Sequence, residues 1–92
     1  MFKVFPNKGF QITFENGWTV SVMFGAGNYC QNRDDKYWDR NMVAEATYSS
    51  KNAEVAAWDK NDNWFDFGGD QVNGYCKPDY VAGFIQRVKD FD

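Results

Sequence analysis

Two stretches near the amino end alternate hydrophobic and polar positions. Phe10, Ile12 and Phe14 interleave with Gln11, Thr13 and Glu15; Trp18, Val20, Val22 and Phe24 interleave with Thr19, Ser21 and Met23. A period of two marks strands with one apolar face, and the Asn-Gly between them marks a hairpin. A two-residue turn at Asn16-Gly17 would set Phe14 opposite Thr19 and send the two apolar sets to opposite faces. A three-residue loop, Glu15-Asn16-Gly17 with Gly17 in a left-handed bulge position, sets Phe14 opposite Trp18, Ile12 opposite Val20 and Phe10 opposite Val22. One residue of register moves every side chain across the sheet. The pattern therefore predicts the longer loop, with Trp18 drawn inward and Gln11, Thr13, Thr19, Ser21 and Met23 facing out.

Residues 25–41, GAGNYCQNRDDKYWDRN, sustain neither period, and an irregular connection of that length is usually functional or disordered. Asn32, ahead of Arg33-Asp34-Asp35, is placed to cap a short helical turn. Strand signals return at 42–50, 53–59 and 64–67. The turn Lys60-Asn61-Asp62-Asn63 would pair Trp58 with Phe65 and Ala56 with Phe67. At the carboxyl end Val81, Phe84, Ile85, Val88 and Phe91 recur at helical spacing. Pro78 suits the first turn of that helix, Asp79 its amino-terminal dipole, and Arg87 and Lys89 its carboxyl end. Gly83 costs about 1 kcal/mol relative to Ala in a helix interior, which a close approach of helix to sheet would offset. The expectation is one α+β domain over 1–92: strands and hairpin in 2–24, a long loop in 25–41, strands in 42–67, and a helix over 78–91. The strands form a twisted antiparallel meander of about four or five, with the helix packed on one face.

Composition supports the sheet. The apolar set is nine Phe, four Trp, five Tyr, eight Val and two Ile, with no Leu, and aromatic and β-branched residues suit a pleated surface. One helix cannot cover such a sheet, so the remaining apolar surface is a candidate partner or homodimer interface. A net charge of −3 and a pI near 4.8 argue against general nucleic-acid binding. Thirteen acids offset by ten bases are too few for an acidic mimic of DNA. No stretch approaches the ~20 apolar residues of a membrane span, and the opening MFKVFPNKG lacks the apolar run of a signal peptide. In the cytosol that this implies, Cys30 and Cys76 are expected as free thiols.

Candidate chemistry concentrates in the long loop. Asn28, Tyr29, Asn32, Arg33, Tyr37, Trp38 and Arg40 supply amides, stacking faces and guanidinium forks, the kit used on nucleobases and sugars. Gly25-Ala26-Gly27 could add backbone amides for an anion. The competing possibility is a solvated acidic loop that tucks its aromatics into the core. DKNDNWFDFGGD spaces Asp59, Asn61, Asn63 and Asp70 like a calcium loop, but Trp64 stands where the turn needs Gly, and strands flank it. With no His, the usual catalytic triads and His-bearing metal motifs are absent. No catalytic residue, metal or cofactor is therefore expected. Asp carboxylates with Mg²⁺, or Cys30 as nucleophile, would be the means of a small hydrolase.

Taken together, GFQITFENGWTVSVMFGAGNYCQNR, NAEVAAWDKNDNWFDFGGDQVNGYC and DYVAGFIQRV resemble a group of short proteins encoded by tailed bacteriophages. The resemblance covers the chain apart from about residues 34–51, and it implies a setting, the host cytoplasm, without a fold, ligand or mechanism. By that setting the expected function is a non-catalytic accessory protein that binds or sequesters a host protein or a small nucleotide-like ligand through the 28–40 loop, as in counter-defence. A small hydrolase and a structural virion protein are the alternatives.

Overall fold

The computed structural model describes residues 1–38 and 47–92. It is an α+β fold: five antiparallel strands in the order β1-β2-β3-β4-β5 followed by one helix. The strands are β1 (Phe2–Phe5), β2 (Gly9–Thr13), β3 (Thr19–Met23), β4 (Ala53–Trp58) and β5 (Asn73–Cys76); the helix α1 is Pro78–Lys89. Every strand pairs with its neighbours in sequence, so the sheet is a meander with β1 and β5 at its edges. No helix among the described residues is long and apolar enough to cross a membrane.

The hairpin closes on the longer loop. Phe14 donates its N–H to Trp18 O (2.9 Å), Gly17 donates to Phe14 O (3.0 Å), and Gly17 takes φ 89°, a left-handed value that glycine adopts without penalty. Ile12 then faces Val20, and Phe10 faces Val22. The Asn16 side chain works in two directions. Its Oδ1 accepts from Trp18 N–H at 2.9 Å, which holds the turn. Its Nδ2 lies 3.0, 3.2 and 3.1 Å from the carbonyl oxygens of Val88, Lys89 and Phe91. Val88 and Lys89 lie in the last turn of α1, where carbonyl oxygens run short of intrahelical donors, and Phe91 follows just beyond it. The turn between β2 and β3 thereby reinforces the carboxyl end of α1, beside the bonds that the Asp90 and Phe91 N–H groups make there.

This tie sets the helix over the apolar face. Val20, Val22, Ala53, Val55, Ala57 and Cys76 from the sheet pack with Phe84 and Val88 from α1 in one buried cluster. Val20, Val55 and Val88 are fully buried, worth about 1.5–3 kcal/mol each by apolar transfer. Trp18 meets Phe91 edge-on at 4.9 Å, and Phe65 packs against Phe84 at 5.3 Å. The polar face departs from expectation at its centre: Thr19 and Ser21 are buried rather than facing out. Register explains this, because Ser21 lies between Gln11 and Ala56, and Thr19 between Thr13 and Trp58. Short side chains on a central strand are shaded by such neighbours. Thr13 Oγ1 and Thr19 Oγ1 also pair at 2.9 Å, satisfying both hydroxyls.

The second half of the chain differs more. The loop after β4 is one residue shorter than expected, Lys60-Asn61-Asp62 closed by Asp59 N–H on Asn63 O (3.0 Å) and Asp62 N–H on Asp59 O (3.0 Å), so Trp58 pairs with Trp64 in a single bridge rather than with Phe65. Asp59 Oδ1 causes it by accepting the N–H groups of Asn61 (2.8 Å) and Asn63 (3.0 Å), and Asp62 turns left-handed at φ 63°. Trp64 stacks on Trp58 at 4.7 Å, and Phe65 N–H donates to Ala57 O. Residues 65–67 form no ladder of their own; β5 takes the place beside β4, bulged where Gly74 and Tyr75 stand against Glu54. Residues 47–50 are irregular, and the rest of the strand expected over 42–50 lies outside the described residues. Gly83 is a correction as well: an added Cβ there would meet nothing within 4 Å, so its cost is not offset by contact with the sheet.

Replacing Asn16 with Ala should destabilise the fold by about 1–3 kcal/mol in urea unfolding, because buried-side acceptors lose their donor. Gly83→Ala should stabilise it by about 0.5–1 kcal/mol in the same measurement, with no change in spectrum.

Candidate functional site

The loop that leaves β3 is a chain of tight turns lashed to one end of the sheet. Gly27 N–H donates to Arg33 O, Arg33 N–H to Cys30 O and Trp38 N–H to Asp35 O. Tyr29 N–H donates to Glu54 Oε2 (3.0 Å), and Tyr29 O accepts from Tyr75 N–H (2.8 Å). Gln31 N–H donates to Asn52 Oδ1 (2.7 Å), and Gln31 Oε1 accepts from Lys51 N–H (2.8 Å). The approach to β5 is so close that a Cβ at Gly74 would stand 2.6 Å from Tyr29 Cβ. Glycine is what lets the loop lie against the strand.

These bonds divide the residues expected to bind. Trp38 is buried, with its indole N–H on Asn7 O and its ring 6.0 Å from Tyr48. Asn32 spends its amide on Phe24 O (2.9 Å) and Ser49 O (3.3 Å). Both fasten the loop. Tyr29 and Arg33 come together at the surface, the guanidinium 5.3 Å from the ring centroid, a cation–π distance. Asn28 lies between them and the sheet end in sequence, and its Oδ1 is buried without a hydrogen-bond partner. Tyr37 is half exposed beneath the Lys36 ammonium at 5.2 Å. Arg40 lies outside the described residues. Sequence alone could not separate the Trp that packs from the Tyr that is presented. Gly25 makes room for the packed one, since a Cβ there would stand 2.9 Å from the Trp38 indole nitrogen.

A second surface was not singled out residue by residue from the pattern. β1 pairs Phe2 with Ile12 and Val4 with Phe10, which puts both on the helix side of the sheet. The helix does not reach them, and Phe2 is 71% and Val4 75% exposed. Beside them opens a depression of about 490 Å³ bordered by Phe2, Val4, Phe10 and Phe24. Another of about 280 Å³ lies between sheet and helix, bordered by Phe10, Phe24, Val81 and Ile85. Phe10 and Phe24 border both, so the two adjoin and together make an apolar trough between β1 and α1.

The two cysteines and Asp59 are engaged in the fold. Cys30 is buried and its thiol donates to Gly25 O at 3.4 Å. Burial pushes the Cys76 thiol up from its ordinary pKa. Both cysteines are free. Asp59, of the calcium-like stretch, is held below the usual carboxylate range chiefly by the Asn63 backbone N–H. Among the described residues no three Cys, Asp or Glu side chains group as a metal site.

Cys76 should alkylate with iodoacetamide at pH 8 about tenfold or more slowly than free glutathione, because a raised pKa leaves less thiolate and burial blocks access; peptide mass spectrometry over a time course checks it. The rate should climb as pH passes the usual thiol range. Comparison of the chain with protein-family models, curated proteins and solved structures finds no match to any of them.

Proposed function

We propose that this protein acts by binding rather than by chemistry, as a phage accessory protein that captures a host protein and keeps it from its ordinary work. The observation that carries this is the uncovered trough with Phe2 and Val4 at its rim. Contiguous exposed apolar surface is costly to leave in water and marks interaction sites in small proteins. The burial of both thiols supports the same view, since it withholds them from a substrate. The phage-like sequence pattern supplies the setting.

A small nucleotide-like ligand is the second reading, favoured by the Tyr29–Arg33 pair and the unpartnered Asn28 Oδ1 beside it in sequence. Of the residues first assigned to that loop, Tyr29, Arg33 and Tyr37 keep side-chain surface for a ligand, while Asn32 and Trp38 hold the backbone.

Captured on a resin and exposed to bacterial lysate, the protein should retain a host partner. The double change Phe2→Asp with Val4→Asp should cut that retention by about a hundredfold or more, as the loss of two apolar contacts of about 1.5–3 kcal/mol each requires. Tyr29→Ala with Arg33→Ala should leave it unchanged. The reverse pattern, joined to a rise in melting temperature with a nucleotide, would move function to the loop.

A further inference from the structure

Among the described residues nothing pairs with the outer side of β1, and the direction of its unpaired backbone groups follows from bonds already made. Thr13 N–H donates to Met1 O at 2.8 Å and the Met1 amine donates to Thr13 O at 2.9 Å, so these residues form a hydrogen-bonded pair. Such pairs alternate along an antiparallel ladder. Lys3 with Gln11 and Phe5 with Gly9 are then the next bonded pairs, and the N–H and C=O of Phe2 and Val4 point away from the sheet. The residues with outward-facing backbone are thus the ones with exposed apolar side chains, both standing over the trough. Lys3, the one charge in the strand, lies between them on the opposite face.

We propose that β1 accepts an extended segment of a partner protein as a sixth strand, its apolar residues facing Phe2, Val4 and the trough and its alternate, acidic residues facing Lys3. This rests on the protein-binding function above and adds its mode and chemistry. Backbone bonds supply affinity in such strand addition, and alternate side-chain pockets supply selectivity. In the register that matches the two exposed apolar side chains, charge favours a foreign acidic strand over a second copy of this one. β1 paired with itself about Lys3 would match Phe2 with the second copy's Val4, but would bring the two Lys3 ammoniums together at a non-bonded position, where opposing side chains are closest. Lys on an edge strand is a known guard against self-pairing. An acidic residue at that position converts the repulsion into attraction.

The test uses the full chain and two blocked peptides, Ac-VDVDVDV-NH2 and Ac-VKVKVKV-NH2, with amide exchange read by NMR. The acidic peptide should slow exchange of the Phe2 and Val4 amides, and the basic one should not. Val4→Pro removes an outward N–H that the sheet does not use, and should weaken the acidic peptide about tenfold while leaving β2 and β3 amides unchanged. Lys3→Glu should reverse the preference between peptides. Equal effects of both peptides, protection confined to other residues, or a two-chain mass with the edge protected in the protein alone would each overturn the proposal. If the acidic peptide fails while Phe2→Asp with Val4→Asp still abolishes capture from lysate, strand addition is wrong and protein binding stands. If capture survives that change as well, both fall.

Discussion

The amide of Asn16 is the contact on which the arrangement of this small domain depends. One helix and a meander of short strands bury few large side chains completely, so the placement of the helix on the sheet has to be specified by something besides apolar contact, which is non-directional. Asn16 supplies direction. Its oxygen fixes the hairpin that sets which residues face the helix, and its nitrogen fixes the helix end that covers them. The same side chain therefore determines which face is apolar and which part of it is covered.

What that geometry leaves over is as consequential as what it buries. Among the described residues the helix lies over β3 and β4 and leaves the strip along β1 and β2 uncovered. The loop after β3 is drawn tight against the other end of the sheet by Gly74, Glu54 and Asn52, so its Tyr29–Arg33 pair stands on a fixed frame. A preformed apolar trough with a small cationic-aromatic patch nearby would lose little ordering entropy in the partner binding proposed above.

Much of this was legible in the chain. The hairpin register could be read because the alternation and the Asn-Gly agree on a single loop length, and the helix because Pro78, Asp79 and the apolar spacing all point the same way. The Trp64 pairing was not legible: the shorter loop comes with Asp59 capturing two backbone N–H groups, a side-chain choice that the apolar pattern does not record. β5 escaped notice because NGYC has almost no alternation and carries Tyr75 at a left-handed φ of 55° in its bulge. In the candidate site, residue types announced a binding kit, but the division between Trp38, which packs, and Tyr29, which is presented, depends on contacts to Asn7 and Glu54 far away in sequence.

The choice of Asn16-Gly17 for this central role carries a chemical liability. In a flexible chain Asn followed by Gly readily cyclises, the glycine nitrogen attacking the side-chain carbonyl with loss of ammonia, and reopens as aspartate or its iso form. Here the Gly17 N–H is engaged with Phe14 O and the Asn16 amide is held from both ends, so the folded molecule restrains the attack. Once it has happened, a carboxylate replaces the donor and faces the helix's own carbonyl oxygens. Age would then be recorded at one position, in the molecules that had opened, and would make those same molecules harder to close again.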